Sequence, residues 1–329
     1  MSDIAVVVII FATAIAFGFS NGFNDAANAV AASIGSRAIR PRHALMLAGV
    51  CNLAGALTGT AVAKTIGSRI IGPGLLTNEI VIGAIIAAVA WTMLASYRGL
   101  PISVSHSLVS GLVGAGLAAV GTSDIGWGKF SRTLIAVIAA PTLGFIGAFA
   151  VMVILLWVFH KFKPGYVNML FRKGQWVTTG FLAYAHGKND GQMPIALMTM
   201  GWVLFQGDPG IWDSIPIWIK IISALSISLG TATGGWRVIK TLGFKVTALK
   251  PIQGFTSDGA SAAVIEVASQ IGIPVSTTHC AVASVIGVGA TTRLSAVRWG
   301  VARSIVFAWV LTFPICGLLG YGITKLLTL

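Results

Sequence analysis

The sequence predicts an all-α, polytopic membrane protein with about ten transmembrane crossings, arranged as two inverted-topology repeats with interrupted helices. Three observations carry that prediction. The chain is 56% hydrophobic and only 9% charged, a balance foreign to soluble domains. Apolar runs long enough to cross a bilayer recur from end to end. Short motifs of the first half return, in the same order, in the second.

The crossings fall near 4–34, 43–66, 79–97, 101–120, 130–159, 176–204, 212–234, 255–272, 274–290 and 299–325. The first is too long for one straight crossing and reads as broken or bent. The segment 255–272 is weakly apolar, carries Asp258 and Glu266, and reads as buried inside the bundle. The N-terminus MSDIAVV has no basic n-region, so residues 4–17 belong to a first span rather than to a cleaved signal. Cys51, Cys280 and Cys316 sit in apolar segments at unrelated spacings, which implies neither a disulfide framework nor a zinc site.

A net charge of +13 would suit a nucleic-acid binder by its size but not by its distribution. With the N-terminus outside, the inner loops hold Arg37, Arg40, Arg42, Arg98, Lys161, Lys163, Arg172, Lys173, Arg237, Lys240, Lys245, Lys250, Arg293 and Arg298, fourteen of the 22 basic residues. The outer side holds Arg69, Lys129, Arg132 and Lys325, together with the acidic Asp3, Glu79, Asp124, Asp208 and Asp213. This is the positive-inside bias. The basic excess sets orientation: a multi-pass protein of the plasma membrane with both termini extracytoplasmic, whose surroundings are lipid and not nucleic acid.

The internal repetition is specific. GFND at 22–25 returns as GKND at 187–190, KTIG at 64–67 as KTLG at 240–243, and PISVSH at 101–106 as PVSTTH at 274–279. Gly114 and Gly116 are matched by Gly287 and Gly289, and Pro141 by Pro314. The halves are residues 1–159 and 176–329, joined by a basic inner linker, 160–175. Each half has five crossings, an odd number, so the second copy enters the membrane from the opposite side. Inverted repeats of this kind recur in secondary transporters, with the site near the midplane where interrupted helices meet.

The candidate site follows from residues that should not be there. A carboxylate such as Asp25 at bilayer depth costs roughly 2.5–3.5 kcal/mol on insertion scales. On a helix, Asn21, Asp25 and Asn28 form one polar stripe; the second half offers His186, Asn189 and Asp190, with Gln192 nearby. Gly22 and Gly187 allow close backbone approach or an unwound turn. A polar helix–helix contact would explain the asparagines alone. Two aspartates at corresponding places in opposed halves point instead to a binding site. Pro101 and Pro274 suit helix starts, and the hydroxyls after them (Ser103, Ser105 and Ser107; Ser276, Thr277 and Thr278) make candidate anion cradles with the free first-turn N–H groups. Capping and back-bonding within the helix is the competing explanation.

Carboxylates and an anion in one pocket repel. At about 5 Å and an effective dielectric near 20, each like-charge pair costs roughly 3 kcal/mol. A bound cation or proton must neutralise the aspartates, which couples anion binding to cation binding. The candidate sodium ligands are Asn21, Asp25, Asp190, Asp258, Ser103 and Ser276, all oxygen donors suited to a hard ion. A carboxylate accepts a hydrogen bond from a protonated phosphate but not from sulfate, so the aspartates favour phosphate.

The motifs G-x-N-D-x-x-N, H-G-x-N-D-x-Q and the paired P-x-S-x-[ST]-H resemble those of the inorganic phosphate transporter (PiT) family, sodium- or proton-coupled symporters, over nearly the whole chain. The resemblance implies phosphate ligands at Asn24, Asp25, Asn28, Asn189, Asp190 and Gln192, and at Ser103, Val104, Ser105, Ser276, Thr277 and Thr278. It also implies a homodimer, import by alternating access, no enzymatic activity, and no cofactor beyond the coupling ion, Na⁺ or H⁺. The chain departs from the family pattern at Met193, where other members carry Asn. At Asn52 some members are acidic, and Asp258 is read as its partner in the other half. His186 is the candidate proton carrier, and His106 and His279 are candidates for orienting the hydroxyls or for simple packing. Lys188 reads as snorkelling or as balancing substrate charge, and Glu266 as paired within the bundle. A permease for sulfate or another oxyanion, an anion channel and an intramembrane hydrolase are the competing readings.

Overall fold

The computed structural model describes residues 3–69, 71 and 73–329, and these are helical apart from turns and short linkers. The side chains of Arg69, Lys129 and Arg132, assigned above to the outer side, lie outside the described residues. Helix α1 (Asp3–Gly35) is one unbroken helix of 33 residues. At 1.5 Å per residue it is about 50 Å long, well beyond a hydrocarbon core of about 30 Å. The expected break in this segment does not occur. Its polar stripe finds partners on neighbouring helices, so the backbone has no reason to unwind.

The interruptions lie elsewhere. Helices α2 (Pro41–Ala56) and α3 (Ala61–Arg69) are bent by 72° at a break that contains Gly59. Helix α4 (Asn78–Arg98) starts on the Thr77 cap and ends at Gly99, whose φ of +69° suits a residue without a side chain. Helices α5 (Val104–Ala119) and α6 (Trp127–Phe159) complete the first half. Helix α7 (Pro164–Asp190) stops at Gly191, and α8 (Gln192–Gln206) restarts at once. Helices α9 (Ile217–Thr233) and α10 (Trp236–Lys240) are bent by 56° at Gly234–Gly235, after which the chain continues through a π-helical turn to Lys245. The last three helices are α11 (Pro251–Gln270), α12 (Thr277–Ala290) and α13 (Trp299–Leu327).

By length and composition α1, α4, α6 and α13 can cross a membrane, and each bent pair can count as one further span. The segments expected to cross at 101–120 and 274–290 differ. Each begins in extended backbone and becomes helical only after Ser103 or Ser276. The resulting helices, 16 and 14 residues, reach about 24 and 21 Å, short of the core thickness. Their starts lie in the protein interior, buried on nearly every side. The expected linker 160–175 is largely helix, because α7 begins at Pro164.

Packing is reciprocal between the halves. Helix α1 lies along α9, and α2 along α7; α5 lies along α13, and α12 along α6. The contacts are close because they use glycine. A Cβ on Gly22 would run into the backbone of Ile227, and one on Gly230 into that of Phe19. Gly187 and Gly55 meet α2 and α7 in the same way, at Asn52 and Tyr184. Small residues that let helix backbones approach are the usual means of packing inside a bilayer. The outer faces of α6 and α13 are apolar and exposed, with Ile138, Trp157, Phe307 and Leu318 among them, as lipid contact requires.

Candidate functional site

The polar stripe of α1 meets the end of α7 in the interior. Asn21, Asn24, Asp25 and Asn28 are buried there, as are His186, Asn189 and Asp190. The Nε2 atom of His186 lies 3.1 Å from a carboxylate oxygen of Asp190 and 3.7 Å from one of Asp25. One ligand atom from each of these three side chains falls within 4.8 Å of the other two. Had the aspartates stood on opposite flanks of the bundle, a shared site would have been untenable.

The other face of the cluster is the start of α12. Thr278 Oγ1 donates to Asp25 Oδ1 at 3.0 Å, and Thr277 Oγ1 donates to Asp190 Oδ2 at 3.0 Å. Adjacent hydroxyls therefore hold one carboxylate from each half. Asn28 Nδ2 donates to Thr278 Oγ1 at 2.8 Å, completing that chain. Ser276 caps the helix by accepting the N–H of His279. The start of α5 repeats the cap, Ser103 accepting from the N–H of His106. Its hydroxyls bond elsewhere, however: Ser103 and Ser105 lie 3.1 Å apart, and Ser105 Oγ donates to the Val275 carbonyl at 3.4 Å. Val104 packs in an apolar core. Of the two expected cradles, only that of α12 is bonded to the aspartates.

The orientation of His186 is set by a relay. Thr231 Oγ1 donates to the Ile227 carbonyl, so it is an acceptor for Asn52 Nδ2 at 2.7 Å. This leaves Asn52 Oδ1 facing His186 Nδ1 at 3.0 Å. The polar atoms facing the ring nitrogens, from Asn52, Asp190 and Asp25, are then acceptors, which suits an imidazole carrying N–H on both nitrogens.

Several expected ligands are elsewhere. The Gln192 side-chain carbonyl accepts the N–H groups of Val62 and Ala63, capping α3, and its amide donates to the Lys188 carbonyl. Gln192 thus spends its amide fixing the bent α2–α3 pair. Asp258 accepts from Thr179 at 2.9 Å. Thr179 precedes Asp190 by eleven residues, about 16 Å along α7, so Asp258 stands apart from the cluster. Asp258 lies on α11, whereas Asn52, read as its partner, lies on α2 beside His186. Asn21 Nδ2 contacts the sulfur of Met193 at 3.9 Å. The rings of His106 and His279 meet edge to face, and stack on Phe313 and Trp309 respectively, instead of reaching the motif hydroxyls. Lys188 does not snorkel; it is ion-paired with Glu266 on α11.

Sequence reasoning missed two residues. Asn24 Nδ2 donates to Ser96 Oγ at 2.7 Å, and Asn189 Nδ2 donates to Ser269 Oγ at 2.9 Å. Ser96 and Ser269 are 173 residues apart, the spacing of the PISVSH and PVSTTH motifs, so the repeat register could have found them.

The chemistry of the remaining atoms favours a cation. The Oδ1 atoms of Asn21, Asn24, Asn28, Asn189 and Asp190 are buried without a hydrogen-bond partner. Leaving such acceptors bare costs about 1–3 kcal/mol each, more for a charged group. They are oxygen donors of the kind a hard cation binds, and the first-turn amides of α12 beside them suit an oxyanion.

A bundle of interrupted, glycine-packed helices around a buried ionisable cluster defines a polytopic transport protein. Comparison with known proteins agrees. Residues 21–320 match the model of the Phosphate transporter family. A protein of Rhizobium meliloti (strain 1021) named "Probable low-affinity inorganic phosphate transporter" is 40% identical over 312 residues, covering 94% of this chain and 93% of its own. A protein of the same name from Bacillus subtilis (strain 168) is 38% identical over 315 residues, covering 95% and 94%. A solved structure described as "The sodium-dependent phosphate transporter" superposes with a TM-score of 0.91 at 27% identity, covering 98% of this chain and 99% of its own. The chain belongs to the phosphate transporter family, a family of transporters and not of enzymes.

Proposed function

We propose that the protein imports inorganic phosphate across the plasma membrane by cation-coupled symport, with Na⁺ as the favoured co-ion and alternating access as the mechanism. The observation that carries this reading is the junction of Asp25 and Asp190 on Thr278 and Thr277 of one helix start. The carboxylates and the bare amide oxygens would hold sodium, and the α12 amides and hydroxyls would hold phosphate. The solved relative described as sodium-dependent supports the choice of ion. We also read the chain as two inverted repeats, 1–159 and 176–329, with ten passages through or into the membrane and both termini outside. The reciprocal packing of α1 on α9 and α2 on α7 supports the repeat. A homodimer is retained from the family resemblance.

His186 gives proton coupling a specific basis. Its Nε2 stands beside both carboxylates. An imidazolium there would offset one of the two negative charges, leaving the cluster at −1 and still in need of a cation when an anion arrives.

The test is uptake of radiolabelled phosphate into liposomes holding the purified protein, driven in turn by a sodium and a proton gradient. Accumulation with sodium is expected. If neither gradient supports accumulation, the symport reading is lost.

A further inference from the structure

Matching positions of the two halves line a cavity at one end of the bundle and carry an ion pair at the other. At one end a cavity of about 350 Å³, in the size range of small-molecule sites (~300–1,000 Å³), is lined by Phe23, Met93, Ser96, Tyr97, Trp236 and Arg237, together with Gly234 and Gly235. Phe23 adjoins Asn24 in the α1 motif. Ser96, almost fully buried, is the hydrogen-bond partner of Asn24. The Oδ1 of Asn24 is buried and without a partner. Through Ser96 and Asn24 the cavity adjoins the polar stripe of α1 that carries Asp25.

The counterparts of Phe23, Met93, Ser96 and Tyr97, at spacings of 165 and 173 residues, are Lys188, Glu266, Ser269 and Gln270. There the ion pair of Lys188 with Glu266 stands at the matching place, and Gln270 Nε2 donates to the same Glu266 oxygen at 3.0 Å. Where this layer carries a carboxylate, Lys188 and Gln270 hold it. The cavity at the other end has no carboxylate among its lining residues. Its guanidinium, on Arg237, lies over the Tyr97 ring at 4.4 Å and donates to the Tyr97 carbonyl. Among the described residues Arg237 has no acidic partner. An arginine held in place by stacking, with donors left over, is a ready binder of a phosphate group.

We infer that this vestibule is a second oxyanion subsite, in which Arg237 holds a phosphate group beside the polar stripe of α1. The inference rests on the phosphate reading above. Free phosphate and a phospholipid headgroup share the chemistry, and the occupant proposed is free phosphate on its way to or from the centre.

A thiol placed in the vestibule reads it directly. In a Cys51→Ala background, Met93→Cys is treated with a negatively and a positively charged methanethiosulfonate, with the protein in neutral phosphatidylcholine vesicles. The anionic reagent is expected to react at least threefold faster, and inorganic phosphate at millimolar concentration to slow it. Arg237→Gln removes both effects, and Arg237→Lys keeps the charge bias. Absence of bias or of protection by inorganic phosphate overturns the subsite. So does protection that needs anionic phospholipid in the vesicles, which would make the occupant a headgroup. Phosphate uptake measured in the same vesicles separates the two readings: uptake without protection removes only the subsite, whereas absence of uptake removes the transport reading on which it rests.

Discussion

Asp25 is held by Thr278, faces His186, and comes from the helix that also supplies three asparagines. Its role as a charge can be tested apart from its role in packing. Asp25→Asn keeps the shape and removes the charge, so it is expected to abolish concentrative phosphate uptake in vesicles while leaving size-exclusion behaviour unchanged. Thr278 serves Asp25 and Asn28 together. A hydrogen bond to a charged group contributes about 1.5–3 kcal/mol. Thr278→Val is therefore expected to raise the half-saturating co-ion concentration by roughly 10- to 100-fold, with Thr278→Ser staying close to wild type. Both aspartates accept hydrogen bonds, and sulfate has none to give near neutral pH. Excess sulfate should compete poorly with labelled phosphate in the same vesicles, and equal competition would remove the argument for selectivity. The stripe Asn21, Asp25 and Asn28 was legible in the sequence because helical spacing alone puts those residues on one face. The destination of Gln192 was not, because its partners, Val62 and Ala63, lie 130 residues away on a helix whose bend no periodicity announces.

At the scale of elements, glycine decides how near the helices come. Gly22 and Gly230 bring α1 and α9 together so closely that a methyl group on either would meet backbone, not a yielding side chain. Overpacking costs typically 1–3 kcal/mol even where side chains can move. Gly22→Ala is expected to lower the midpoint of thermal unfolding in detergent, and Gly165→Ala, in open space at the start of α7, to leave it unchanged. The same elements show where sequence reading fell short. The first span was expected to break because of its length and polarity, yet α1 stays whole and the breaks fall at Gly59, Gly191 and Gly234–Gly235. Polarity in an apolar run signals a need for partners, and neighbouring helices can meet that need without any unwinding. Helices α5 and α12 were expected as crossings because apolar length was counted from Pro101 and Pro274. The proline-led segments are extended, and helix begins only past the serine caps.

For the whole molecule, coupling is a statement about both ions at once. With equal sodium on the two sides and no proton gradient, phosphate is expected to equilibrate across the vesicle membrane without accumulating, and current reversal potentials should shift with the sodium gradient. A reversal potential set by the anion alone would describe a channel. The sequence by itself determined the class, since composition and recurring apolar runs leave no other solvent than a bilayer for most of the surface. It also determined the paired motifs, because a repeat register and a helical period can be read from letters. Only the tertiary structure decided that Thr277 and Thr278 of a single helix start hold both aspartates, that His186 stands beside both, and that Asp258 stands apart. Those facts depend on which helices pack together across 79 to 253 residues of chain, and long-range packing is fixed by shape and closeness of approach, which no local pattern encodes.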